Sequence, residues 1–364
     1  MRSAGILMPI SSLPSPCGIG SLGQAARDFV DFLAAAGQSY WQILPICPTS
    51  YGDSPYQSFS SFAGNPYFID LDTLADWGFL EPSDYRDIDW GSDPSKVDYG
   101  LMYRERFAVL RKACARMGRG DLFELRGVLP NARWLDDYAL FMALKDKFGG
   151  ASWFQWPEEL RRRDPAALRA AKQELREEIR FWTTVQLLFF NQWWNLKEYA
   201  NGKGVSIIGD LPIYVAGDSA DVWANRTQFQ LDENLLPTEV AGCPPDGFAA
   251  DGQLWGNPLF DWERMREDGY QWWLERVAFQ LEIYDVLRID HFRGFESYYA
   301  IPYGEATAKN GRWRPGPGLD FFRAVHEKLG RQNIIAEDLG FLTDPVRELL
   351  RETGYPGMKV LELA

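Results

Sequence analysis

The sequence has 364 residues, 46% of them hydrophobic and 24% charged, with 38 Lys+Arg against 51 Asp+Glu for a formal net charge of −13. At about 150 residues per domain, this length admits two domains or one large α/β barrel with insertions, and the apolar and charged mixture excludes disorder over most of the chain. The negative charge repels a phosphate backbone, which removes the electrostatic basis for generic nucleic-acid binding.

In chain order, Ile6-Leu7-Met8-Pro9-Ile10 predicts a first strand. Ala26, Phe29, Val30 and Leu33 then recur at helical spacing, with Gly37 placed to end the helix. Tyr40–Ile46 reads as a second strand, and the strand, helix, strand order argues for parallel pairing. Gly18-Ile19-Gly20-Ser21-Leu22-Gly23 offers glycines after strand 1 but is not G-x-G-x-x-G and has no Walker lysine, so it does not support a nucleotide site. Residues 47–72 form a polar, aromatic loop. Residues 101–117, 132–147 and 166–200 read as helices, so 51–200 is expected to be a mainly helical insertion. Arg161-Arg162-Arg163, flanked by Glu158, Glu159 and Asp164, reads as a solvated turn.

The β/α rhythm returns at Val205–Asp210, and a Gly/Pro-rich excursion over 211–259 reads as a second insertion. A helical face at Trp273, Val277, Leu281 and Tyr284 precedes a strand at 286–290. Helices near 319–329 and 345–353 precede strands at 333–337 and 358–363. Six such units suit an open sheet or part of a barrel. Asp210, Asp290 and Glu337 end three different predicted strands, the placement of an active face in a TIM (β/α)8 barrel. The expected fold is therefore α/β, an incomplete (β/α)8 barrel spanning 1–364 with insertions.

The four cysteines, Cys17, Cys47, Cys114 and Cys243, lack paired ligand spacing and only two histidines exist. Neither a disulfide framework nor a Cys/His zinc site is expected, which fits a reducing cytoplasm. Gly5–Ile10 lacks the length and basic flank of a signal segment, and no apolar run approaches about 20 residues, so no membrane partner is expected.

In Arg288-Ile289-Asp290-His291, strand periodicity puts Arg288 and Asp290 on one face. An arginine beside a carboxylate keeps it ionised, suiting either a nucleophile or a plain salt bridge. Glu337 ends the apolar Ile334-Ile335-Ala336, where burial raises a carboxyl toward the range of a general acid; an N-cap or surface acid is the alternative, and Asp338 fits that alternative better. Two carboxyls roughly 5 to 5.5 Å apart would be the minimum for retaining glycoside chemistry. Tyr56 and Trp255 fall in turn-rich loops, where they either pack the loops down or offer flat faces to sugar C–H groups, with Asp210 and His291 for hydroxyls. His326, among Ala324, Val325 and Leu329, reads as structural.

Tyr51–Phe59, Gly209-Asp210-Leu211-Pro212-Ile213, Gly256-Asn257-Pro258, Arg288–Gly294 and Ala336–Gly340 occur in this order along the chain. Together they resemble the amylomaltase family, the 4-α-glucanotransferases or disproportionating enzymes of glycoside hydrolase family 77. The resemblance implies Asp290 as nucleophile and Glu337 as acid/base. It implies Arg288 and His291 around the sugar at the cleavage point, with Tyr56 as its aromatic platform. Asp210 and Ser54 are implied to bind substrate, and Trp255 to belong to a loop over the acceptor side. The implied substrates are α-1,4-glucans and maltooligosaccharides as donor and acceptor, handled by a cytoplasmic monomer without metal or cofactor. The family's third carboxylate lies in a His-Asp-Asn segment that this sequence does not contain, and the resemblance implies a barrel truncated after its sixth strand. The alternatives are a retaining α-glucan hydrolase and a non-catalytic glucan-binding protein, the latter favoured by the missing carboxylate.

Overall fold

A computed structural model describes residues 2–130, 132–247, 249–340 and 342–361. The chain divides into two compact units. The first comprises Met1–Pro55, Ala63–Gly150 and Pro165–Ile208; the second comprises Tyr56–Phe62, Ala151–Asp164 and Gly209–Ala364.

In the first unit, β1 (Gly5–Leu7) and β2 (Tyr40–Gln42) pair in parallel, Ile6 opposite Trp41, through helix α1 (Gln24–Ala35). β2 pairs in parallel with the start of β3 (Ser206–Leu211), Trp41 opposite Ile207. Both early strands are shorter than the apolar runs suggested. Ile10 opens a 3-10 turn, and after Ile43 donates to the Ile208 carbonyl, Pro45 has no N–H to carry the ladder further.

The helical part of this unit contains α2 (Phe107–Arg116), α3 (Arg133–Lys147) and α4 (Arg176–Gly202). The expected 101–117 helix begins as a short turn with a π segment at Met102–Arg106. The expected 166–200 helix breaks at Leu175. Two buried glutamines on α4 hold extended backbone: Gln186 exchanges hydrogen bonds of 2.8 and 2.9 Å with Gly64, and Gln192 bonds of 2.7 and 3.1 Å with Asp70. A buried amide paired at both ends with a peptide group costs little and fixes register.

The second unit continues β3 from Gly209 and adds β4 (Glu239–Cys243), β5 (Gln253–Pro258), β6 (Val286–Ile289), β7 (Ser297–Pro302), β8 (Arg312–Pro315) and β9 (Ile334–Ala336). Its longer helices are α5 (Gln271–Ile283), α6 (Gly318–Leu329) and α7 (Asp344–Thr353). β6 and β9 are parallel, with Ile289 opposite Ala336. The Asp290 N–H donates to the Leu211 carbonyl at 3.0 Å, so β6 runs beside the end of β3. The remaining strands form an antiparallel sheet in the order β5-β4-β7-β8.

Two expectations are corrected. No strand forms over 358–361, because the Ala336 N–H takes the Pro356 carbonyl and the Asp338 carboxylate takes the Met358 N–H, ending the ladder; residues 362–364 lie outside the described set. The barrel was expected to be incomplete, and among the described residues no strand pairing closes one. Trp255 stands on β5 instead of a loop, since the 211–259 excursion supplies two strands of the antiparallel sheet. No helix among the described residues is long and apolar enough to cross a membrane.

Gly209 immediately precedes Asp210, and a Cβ built there would lie 2.0 Å from the ring of buried Tyr284. Gly209→Ala should therefore destabilise the protein by roughly 1–3 kcal/mol through overpacking. In urea unfolding, the midpoint should fall at unchanged slope, and Tyr284→Ala should recover part of the loss in the double variant. Simple additivity would show that the clash is not the cause.

Candidate active site

Of the side chains singled out by sequence, Tyr56, Asp210, Arg288 and Asp290 form one hydrogen-bonded set at the ends of the parallel strands of the second unit, and His291 touches both Trp255 and Glu337 beside it. Arg288 and Asp290 project from the same face of β6, while Ile289 between them is 1% exposed in the core. The Arg288 Nη1 donates to Asp290 Oδ1 at 2.9 Å and also to Asp210 Oδ1 at the end of β3. Asp210 accepts a second bond from the Tyr56 hydroxyl at 2.7 Å on its other oxygen. One guanidinium thus ties two carboxylates, and one carboxylate ties the arginine to the aromatic ring.

Burial separates the roles of these groups. Asp210 is 3% exposed, and burial pushes its carboxyl up to about 6 against the opposing pull of Arg288 and the Tyr56 hydrogen bond. Burial works against the Arg288 cation too, but the two carboxylates outweigh it and leave its pKa raised. We read the pair as ionic at neutral pH. Burial, reinforced by the Asp210 charge, holds the Tyr56 phenol far above its usual range, so its hydroxyl remains a donor.

Glu337 follows β9 as Asp290 follows β6. Because Ile289 faces Ala336 in parallel register, Asp290 and Glu337 come next to each other on neighbouring strands, spaced about 4.8 Å in the sheet. The ladder continues past both: the Glu337 N–H donates to the Ile289 carbonyl at 2.9 Å, and the Phe292 N–H to the Glu337 carbonyl at 3.1 Å. Two backbone N–H groups orient the Glu337 carboxyl, His291 at 2.7 Å and Leu339 at 2.9 Å. Those donors favour the anion, yet burial, helped by the nearby Asp290 charge, wins and raises the pKa.

The His291 N–H reaches Glu337 because His291 adopts a left-handed conformation, φ 51° and ψ 49°. That conformation is uncommon outside glycine and here turns the chain sharply after Asp290. The His291 ring meets the Trp255 indole edge to face at 4.9 Å. Burial lowers its pKa to about 4, aided by Arg293, so the imidazole is neutral at ordinary pH.

Gln57 and Asn257 were not singled out from sequence, although both lie inside recognised segments. The Gln57 Nε2 donates to the Trp255 carbonyl at 3.3 Å and to Asn257 Oδ1 at 3.0 Å, and the Asn257 Nδ2 donates to the Val215 carbonyl at 2.9 Å. They latch the Trp255 strand to the Tyr56 segment. Asp338, read as an N-cap or surface acid, is instead 6% exposed and accepts the Met358 N–H at 2.7 Å. Met358 in turn places its sulfur 3.3 Å from Arg288 Nε. Ser54 lies in the first unit, half-buried two residues before Tyr56. His326 contacts the Tyr355 hydroxyl at 2.9 Å, a structural role as expected. Among the described residues, no group of three or more His, Cys, Asp or Glu could hold a metal ion.

The family model for 4-alpha-glucanotransferase, glycoside hydrolase family 77, matches residues 8–364. A 4-alpha-glucanotransferase of Streptococcus pneumoniae is 53% identical over 366 aligned positions, covering 100% of this chain and 72% of that protein. One from Clostridium butyricum is 50% identical over 359 positions, covering 98% and 74%. Among solved structures, the amylomaltase from Streptococcus agalactiae in complex with acarbose superimposes with a TM-score of 0.98 at 44% identity, over 100% of this chain and 74% of that one.

With only two histidines in the sequence, the imidazole environment can be read directly. In an NMR titration, His291 should protonate near pH 4, and His326, lowered by burial, below the ordinary histidine range. Trp255→Ala admits water beside the ring, relieving the penalty on imidazolium, and should move the His291 midpoint up toward 6.5. A midpoint that stays at about 4 would show that Trp255 does not shield it.

Proposed function

The chain belongs to the 4-alpha-glucanotransferase family and has the activity of that family, transfer of glucan segments, and we propose that it works by a retaining double displacement with Asp290 as nucleophile and Glu337 as acid and base. The observation that carries this reading is the placement of Asp290 and Glu337 side by side beyond a parallel pair, with Arg288 donating to the first and burial raising the second. Neighbouring strands suit the roughly 5 to 5.5 Å separation of retaining carboxyls better than the wider inverting arrangement.

On this reading, a donor α-1,4-glucan lies with its scissile bond between the two carboxyls. Asp290, oriented by the Arg288 hydrogen bond, attacks the anomeric carbon while protonated Glu337 gives its proton to the departing oxygen. The resulting Glu337 anion takes the proton from an acceptor's 4-hydroxyl, which displaces Asp290 and restores the original configuration. Tyr56 offers its ring and Asp210 its carboxylate to the sugar at the cleavage point. Neutral His291 serves as a hydroxyl partner, and Ser54 joins the substrate-binding set on the family resemblance.

Trp255 forms the acceptor-side wall. A retaining hydrolase would use the same carboxylates with water as acceptor; the latched indole against His291 supports a sugar in that place. We also propose that the parallel strands belong to a (β/α)8 barrel carrying the 51–200 and 211–259 insertions. The protein is proposed to act as a cytoplasmic monomer, and its charge of −13 accords with the absence of nucleic-acid partners.

Maltotriose should give both shorter and longer α-1,4 products on chromatography; glucose without elongation would favour the hydrolase. Asp290→Asn should lower turnover by several orders of magnitude, because an amide cannot form the glycosyl ester. Glu337→Gln should lower it about 10²–10⁴-fold on maltotriose but far less on α-maltosyl fluoride, whose leaving group needs no proton. Since Glu337 acts first as an acid with a raised pKa, kcat/KM on maltotriose should fall as pH rises through that pKa, and this alkaline limb should vanish with the fluoride. Equal losses on both donors would remove Glu337 from the acid role.

A further inference from the structure

The α5 face that packs into the second unit is not purely apolar. Trp273 and Val277 are buried, as their spacing suggested, and Trp272 is buried beside them, but so are Arg276 at 0% and Gln280 at 3% exposure, while expected Leu281 is only half-buried. Positions 276 and 280 are one turn apart and lie on the same side of the helix. A buried cation and a buried amide are costly unless their hydrogen bonds are satisfied, so their partners are informative.

Those partners are loop carbonyls. The Arg276 guanidinium donates to the carbonyls of Pro212 at 2.6 Å and Ile213 at 3.1 Å, directly after the strand end bearing Asp210 and Leu211. Its central carbon lies over the Trp273 ring at 4.7 Å and over the Trp272 ring at 5.5 Å from their centroids. Gln280 Nε2 donates to the Ser61 carbonyl at 2.9 Å, and the Asp221 carboxylate accepts the Ser61 N–H at 2.7 Å. The Ala220 N–H donates to the Phe59 carbonyl at 2.8 Å. Hence the short segment carrying Tyr56 is fastened at Phe59 and Ser61, and the segment following Asp210 at Pro212 and Ile213.

We propose that Arg276 and Gln280 are positioning residues for the transfer reaction, holding on one helix face the two loops whose meeting forms the Tyr56–Asp210 hydrogen bond. Neither touches substrate. They act through the 2.7 Å bond between Tyr56 and Asp210, and through Asp210 on Arg288. α5 thereby sets the distance between an aromatic platform and a carboxylate that belong to segments more than 150 residues apart. This inference rests on the assignment of Tyr56 and Asp210 to the sugar at the cleavage point.

A double-variant cycle tests both levels. Gln280→Met keeps the side-chain length but removes the donor to Ser61. Tyr56→Phe keeps the ring but removes the donor to Asp210. Each alone should reduce kcat/KM for maltotriose about tenfold, mainly in kcat, and the two together should cost little more than Tyr56→Phe alone, because the position of a missing hydroxyl no longer matters. Arg276→Lys, which keeps the charge but cannot span both carbonyls, should behave like Gln280→Met and provides a second entry if that variant does not fold. A structural role would lower the unfolding midpoint and leave the losses multiplicative. If Tyr56→Phe is costly but the Gln280 and Arg276 variants are silent or multiplicative with it, the positioning inference fails and the site stands. If Tyr56→Phe and Asp210→Asn are both silent, the site assignment itself fails.

Discussion

A single guanidinium organises the end of the parallel sheet. Arg288 lies on β6, between β3 and β9 of the second unit, and donates to carboxylates from two strands, Asp210 and Asp290. Without that cation, two carboxylates in a partly buried cleft would repel each other and one would take up a proton. With it, Asp290 has a charged hydrogen-bond donor at 2.9 Å, and Asp210 has a fixed orientation from which its second oxygen receives Tyr56. Glu337 lies one strand further on and receives backbone N–H groups instead of a cation. A full positive charge beside Asp290 and only partial charges beside Glu337 make the surroundings of the two adjacent carboxyls different.

The same economy appears in how irregular backbone is held. Loops carry most of the groups around the strand ends, and a loop drawn into the interior brings peptide groups that must be satisfied. The protein satisfies them with buried side-chain amides and charges, Gln186 and Gln192 in the first unit and Gln280, Arg276, Asp221 and Asn257 in the second, joined by half-buried Gln57. Each is costly to bury alone and inexpensive once paired, so it selects one loop geometry over others of similar apolar burial. Specificity of backbone position is gained where secondary structure cannot supply it.

What the sequence revealed follows from this division. Apolar β-branched runs such as Ile207-Ile208 and Ile334-Ile335 marked the parallel strands, and Asp210 and Glu337 stand at their C-terminal ends, as read from the sequence. The antiparallel sheet was missed because Glu239–Cys243 and Gln253–Pro258 contain glycine and lack clean alternation. Over 358–361 the converse occurred: Met358-Lys359-Val360-Leu361 has strand propensity, but tertiary hydrogen bonds from Ala336 and to Asp338 override it. Arg276 and Gln280 were illegible for a different reason. Periodicity assigns polar residues to the solvent side, and only coordinates show a cation and an amide turned inward toward loop carbonyls.

The proposed carboxylate pair explains bond cleavage but not the choice between a sugar and water as acceptor, since both would attack the same glycosyl–Asp290 ester. That choice depends on whether an acceptor hydroxyl is held in line long enough to outcompete a smaller and more abundant nucleophile, which is a matter of effective concentration. The features suited to the task are those furthest from the proton transfers: the Trp255 indole, braced by His291 and Tyr214, and the Gln57–Asn257 latch that fixes its strand. A rigid aromatic wall binds a pyranose face at little entropic cost and excludes water from the space beside it. The bracing groups also constrain the histidine, whose N–H orients Glu337. On the proposed reading, acceptor binding at Trp255 and the orientation of Glu337 are linked through one residue, His291, whose ring meets the indole and whose N–H holds the carboxylate.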